Sequence, residues 1–212
     1  MAPDAHAPPE APERAAARER ILEAACDLIA AEGIDDVRIA RVANRARVST
    51  ALVHHYFSTR EDLLEQAILH SFQLAADERF DEEPIEDESA TDGLARAIRT
   101  SLPEAGESAR EWILWVELWL RAVRDPKLQP VAAVLYARYR AWLQAVIQAG
   151  ITSGEFAAVD TGEVADHAMA LLDGLGLRAL LHDPSMDIAR ARRRIAELLA
   201  PRLGIEPEAL LS

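Results

Sequence analysis

Between Arg38 and Arg60 the chain carries five arginines and not one aspartate or glutamate. The rest of the sequence runs the other way: 36 acidic against 23 basic side chains give a formal net charge of -13. Inside the basic island two short apolar runs keep helical spacing. Ile39, Val42, Ala43 and Ala46 form the first, and Ala51, Leu52, Val53, Tyr56 and Phe57 form the second. Only Arg47-Val48-Ser49 separates them, which is too short for anything but a tight turn, and Ser49 is placed to N-cap the second helix. Two short helices joined in this way predict a helix-turn-helix, whose second helix lies in the major groove of DNA. A local excess of cations in an acidic chain is what phosphate contact requires. The overall acidity confines such contact to one face, because most of the surface repels DNA.

Gly33, Ala43, Ala46, Val48-Ser49, Tyr56-Phe57 and Glu61-Asp62-Leu63-Leu64 resemble the N-terminal domain of TetR-family transcriptional regulators. The resemblance runs from Arg18 to Leu64. Four positions depart from the family pattern: Arg47 replaces the turn glycine, Ala51 a second glycine, His54 a tyrosine and Arg38 a capping threonine. If the backbone at Arg47 needs a positive φ, an arginine there costs stability. By resemblance, Thr50, Ala51, His54 and His55 meet bases or backbone of double-stranded DNA, and Tyr56 and Arg60 grip phosphate. Arg38 and Arg47 complete the expected DNA-binding set. From the residues alone, the lesser alternative is that His54 and His55 are two solvated surface histidines. A metal site fits them poorly, because neighbours on a helix diverge by about 100°.

At 212 residues the chain has room for one large or two small domains. Ala, Leu and Arg dominate, as expected for mostly helical structure. Cys26 is the only cysteine, which excludes an internal disulfide and a Cys-based zinc site and leaves it a packing role. No run approaches the roughly 18 apolar residues that span a bilayer. The expectation is therefore a cytoplasmic protein with no membrane partner.

Residues 1–12 are rich in proline and alanine and are expected to form a disordered tail. Residues 13–64 are expected to form the helix-turn-helix domain, and residues 65–212 an effector-binding and dimerisation domain. An acidic, Pro84-containing loop is expected over residues 77–92. No strand pattern or repeat is visible, so the predicted class is all-α, with about nine helices.

All four tryptophans fall in two adjacent predicted helices. Trp112, Trp115 and Trp119 share a stripe, and Tyr139 and Trp142 on the next helix are placed to meet it. A helix apolar nearly all round is buried, so an aromatic core and a ligand chamber both fit. Glu117 discriminates between them. Facing Arg121 it is a surface ion pair, whereas turned inward it needs a partner such as a cationic ligand. Asp173 interrupts another apolar helix and raises the same question. The pattern WxxWxExW, then Arg124 to Leu128, YRAWL, GEF and LLDGL, is similar to the C-terminal domain of one TetR branch, which includes the choline-responsive betaine-synthesis repressor. The resemblance implies a homodimer built by the last two helices, with Leu172, Leu175, Gly176 and Ala179 at the interface. It implies a repressor that binds an inverted-repeat operator and is released by a small, partly apolar and cationic effector.

No phosphate loop, nucleophile elbow or metal-ligand spacing is present, so no catalysis, cofactor or metal is expected. The rival expectation is a helical enzyme or carrier that uses the tryptophan chamber.

Overall fold

The computed structural model describes residues 12–80 and 88–211, with side chains from 15 to 72 and from 88 to 211. Most of the expected tail and the middle of the expected acidic loop lie outside the described residues. Among those described there are nine α-helices and no strand. The chain divides after Ser71 into two compact units. That division falls seven residues beyond the expected domain boundary at Leu64, inside one continuous helix.

The first unit begins with α1, Pro12–Glu32. Pro12, expected in the tail, starts this helix, where its missing N–H costs nothing. Ile21, Leu22, Ala25 and Ile29 are buried on one face. The chain turns at Gly33, with φ 82°, into a single 3-10 turn, Ile34–Asp36, and then enters α2, Ile39–Arg45. Helix α3, Thr50–Tyr56, follows, and the Ser49 hydroxyl accepts the Leu52 N–H at 3.1 Å as its N-cap. Arg47, in the turn between them, has φ 57°. An arginine therefore holds a left-handed conformation that costs about 1–2 kcal/mol. Helix α4, Arg60–Phe80, is capped by Thr59 and buries Leu63, Leu64, Ala67 and Ile68. Phe57 and Val53 are fully buried, so α3 is pinned by one apolar edge. The Cys26 thiol is buried and donates to the Ala67 carbonyl at 3.0 Å, which accounts for it as a packing residue.

The second unit holds α5 (Ala90–Thr100), α6 (Glu107–Ala122), α7 (Gln129–Ser153), α8 (Thr161–Leu180) and α9 (Ile188–Leu203), and ends in a 3-10 turn, Pro207–Leu210. Leu94, Ile98, Leu143, Ile147, Leu172, Ile195 and Leu199 form its main core. Helix α7 runs past Gly150 to Ser153 and stops where Gly154 takes φ 80°. The Glu155 carboxylate then clips the N-terminus of α5. It accepts the N–H groups of Ala90 and Thr91, each at 2.9 Å, and the Thr91 hydroxyl at 2.8 Å. Those donors have no partner within α5, and Glu155 satisfies them from outside the helix.

Candidate functional site

In the first unit α3 buries Val53 and leaves Thr50, Ala51, His54 and His55 exposed. Tyr56 is half-buried, with its ring 5.2 Å from His55 and 6.2 Å from Phe57. Opposite the apolar edge, then, lies a polar strip at the width of one short helix.

The five arginines of the basic island fall into three groups. Arg41 pairs with Glu32, and Arg45 reaches Asp27 through Nε at 2.9 Å and Nη2 at 2.7 Å. Arg38 donates to the carbonyls of Asp35 and Val37. Arg60, expected on phosphate, is instead engaged with the backbone. Its Nε donates to the Val37 carbonyl at 2.6 Å, and Nη2 donates to the carbonyls of Asp35 at 3.0 Å and Ile34. It ties the start of α4 to the turn before α2. Arg47 is the arginine of the island whose guanidinium has no partner among the described residues, and it stands exposed in the turn.

In the second unit Trp112, Trp115 and Trp119 line one face of α6, because spacings of three and four keep side chains on one side of a helix. Their rings contact edge-on and tilted, at 6.1 Å for Trp112–Trp119 and 6.2 Å for Trp115–Trp119. Tyr136 and Tyr139 approach from α7, with Tyr136 5.8 Å from Trp115. These five rings surround a cavity of about 40 Å³ that Asp173 of α8, Glu111 and Ser101 complete. The Trp112 indole N–H donates to the Ser101 carbonyl at 3.2 Å.

The Tyr136 hydroxyl donates to Asp173 Oδ2 at 2.8 Å. Burial pushes the Asp173 carboxyl above the usual aspartate range, and the bond from Tyr136 opposes this only in part. Burial, and then the neighbouring Asp173 charge, raise the Tyr136 hydroxyl as well. The Trp119 indole N–H stands near the Tyr136 oxygen, close enough to favour its ionised form, yet it reaches no hydrogen bond of full geometry. The chamber thus holds an acid strained by desolvation and an underused donor. Both would gain from a polar or charged guest.

Of the seven expected ligand residues, the cavity gathers Trp112, Trp115, Trp119, Tyr139 and Asp173. Glu117 does not line it: the arc of α6 that carries Glu117 points elsewhere. Trp142 stacks on Tyr139, with centroids 5.9 Å apart and planes at 21°, and packs against the main core. Tyr136, Glu111 and Ser101 were not anticipated. Tyr136 stands one turn before Tyr139, so helical spacing alone would have placed the two tyrosines on one side of α7.

The expected dimer residues are largely enclosed in the single chain. Leu172 is 1% exposed in the single chain, Ala179 is buried, Leu175 packs against the core, and Gly176 is buried under Trp112. Leu175 keeps part of its surface exposed. The large apolar side chains left outside on this end of the fold are Leu181, 70% exposed, and Leu198, 53% exposed.

A helix-turn-helix with an outward polar strip, followed by a helical unit enclosing an aromatic chamber, defines a DNA-binding transcriptional regulator with a ligand compartment. Residues 21–67 match the family model of bacterial regulatory proteins of the tetR family, and residues 90–204 match the C-terminal domain of BetI-type transcriptional repressors. The chain belongs to the TetR family, with a BetI-type C-terminal domain, and its function is transcriptional repression. The HTH-type transcriptional regulator BetI of Cronobacter sakazakii is 25% identical over 191 residues, covering 88% of this chain and 91% of the relative. A transcriptional regulator from Saccharomonospora viridis, solved in complex with choline, superposes with a TM-score of 0.76 at 30% identity, covering 86% of this chain and 95% of that one. A TetR-family regulator from Rhodococcus gives a TM-score of 0.69 at 27% identity, covering 88% and 98%.

Proposed function

We propose that this repressor senses a quaternary ammonium compound, which enters the aromatic chamber and releases a homodimer from an inverted-repeat operator. One observation carries the reading: five aromatic rings and a half-buried carboxylate converge on a single small cavity. Ring faces attract a cation with about 0.5–2 kcal/mol each, according to how fully it is desolvated. Asp173 supplies the matching charge. The related regulator from Saccharomonospora viridis, which was solved with choline, supports the same class of ligand.

Release requires the effector to prefer one conformer over another. Trp115 offers a route, because its ring packs 4.3 Å from that of Phe72 on α4, the helix that begins in the DNA-reading unit. A guest that moves Trp115 moves α4, and with it the separation of the two recognition helices. Half-sites about 34–36 Å apart tolerate little change in that separation. The dimer itself would form through α8 and α9 about a two-fold axis, covering Leu181 and Leu198.

Calorimetry and operator-release assays with choline, tetramethylammonium and 3,3-dimethylbutanol, the uncharged carbon analogue of choline, test the reading. The two cations bind and release DNA, the alcohol does neither, and Asp173→Asn weakens both cations at least tenfold. Equal binding of the alcohol, or an unaffected Asp173→Asn, overturns it.

A further inference from the structure

A second concavity adjoins the chamber. It is an open groove of about 530 Å³ across the end of α6, the start of α7 and the middle of α8. Trp119, Tyr136 and Asp173 line both spaces, so the groove starts where the chamber ends. Beyond that shared wall it is apolar: Ala122, Val123, Ala132 and Leu177, with Gln129 supplying one amide. Val123 is 80% exposed, a poor position for an aliphatic side chain that nothing covers. Gly174 opens further room, since a Cβ built there meets no atom within 4 Å. Among the described residues, no lysine or arginine lines either space.

Resting on the quaternary ammonium reading above, we infer that the preferred effector is an amphiphile: its ammonium head fills the chamber and its alkyl chain lies in the adjoining groove. The chamber, at about 40 Å³, is the tighter and more enclosed of the two spaces and suits a headgroup, whereas the groove, at about 530 Å³, is open to solvent and suits a chain. The shared wall puts Asp173 at the junction, next to the charged end of such a molecule. The lack of a cationic side chain disfavours fatty acids, which would fill the groove but leave a carboxylate unpaired.

The experiment uses the full chain and a series of tetramethylammonium, butyl-, hexyl- and octyltrimethylammonium below their micelle concentrations, followed by calorimetry. Each methylene that the groove covers strengthens binding about fourfold. Ala132→Trp, which fills the groove, and Val123→Asp, on a side chain already exposed, both flatten the dependence on chain length. Both leave the affinity for tetramethylammonium within about twofold of the parent. Affinity independent of chain length, or a dependence unchanged in both variants, overturns the inference while leaving the quaternary ammonium reading in place. Failure of tetramethylammonium itself to bind overturns both. Sedimentation in which Ala132→Trp converts dimers to monomers, with the chain-length dependence intact, assigns the groove to a second copy and overturns it too.

Discussion

Trp112 occupies the space that a side chain at Gly176 would need: a Cβ there would stand inside 3.0 Å of two indole carbons. The chamber's first wall therefore depends on a missing methyl group. Gly176→Ala pushes the indole out of place and strains its bond to the Ser101 carbonyl, with an expected cost of about 1–3 kcal/mol for overpacking. Cation binding weakens and the oligomeric state does not change. Urea melts, calorimetry and sedimentation on this variant check all three. A variant that binds with parental affinity, or that falls apart into monomers, would return Gly176 to the dimer interface.

Asp173 links the chamber to pH. Its folded-state pKa is raised by burial, so the ionised form is disfavoured by the fold. The stability that belongs to the protonated form is complete below the unfolded value and is lost as pH rises through the folded one. The ligand-free protein should therefore lose Tm with rising pH in that window, and Asp173→Asn should remove the loss. Affinity for a permanent cation moves oppositely, rising with pH as the carboxylate ionises. Melting curves and calorimetry from about pH 4 to pH 8 read both slopes. Parallel slopes would show that the guest does not meet Asp173.

Salt titration separates a phosphate contact by Arg47 from a structural role for Arg60. Arg60→Ala removes donors from three backbone carbonyls and should cost about 1–3 kcal/mol of stability. The slope of log K against log salt should stay the same. Arg47→Ala should lower that slope by about 0.9, the loss of one phosphate contact. Arg47→Gly should lower it equally yet gain about 1 kcal/mol in stability, because glycine holds φ 57° without strain. A reduced slope in Arg60→Ala would place its guanidinium on phosphate after all.

Glu155 should set part of the acid limit of the second unit. The N–H groups of Ala90 and Thr91 hold its carboxyl down to about 2, below the usual 4.5. A depressed value contributes stability above the unfolded pKa, which is lost as pH falls from about 4.5 toward about 2. Glu155→Ala should cost about 1–3 kcal/mol. Glu155→Gln, which keeps an acceptor but no charge, should cost less. Hydrogen exchange at Ala90 and Thr91 reports the clip directly: exchange as slow as in the parent would mean that these amides are satisfied otherwise.

What could be read from the sequence was local. The Ser49 cap, the apolar edge of α3 and the tryptophan spacing along α6 each depend on residues within a turn or two, and each is found as expected. What escaped was decided by partners distant in sequence. Arg60 is engaged by carbonyls 23 to 26 positions upstream, which no periodicity marks. Glu117 and Trp142 lie on helices apolar around most of their circumference, so the pattern did not reveal which arc faces the cavity. The bond from Tyr136 to Asp173 joins residues 37 positions apart on different helices, which local spacing does not mark. Gly176 lies under Trp112 of α6, and Leu172 is enclosed by the main core of the second unit.

The pairing of Arg41 with Glu32 and of Arg45 with Asp27 has a kinetic consequence. A phosphate that recruits either guanidinium must first displace a carboxylate, so fewer counterions are released on contact with arbitrary sequence. Together with a chain charge of -13, this makes each encounter with non-cognate DNA brief. Brief encounters favour a search by short hops through solution over long tracks along the duplex.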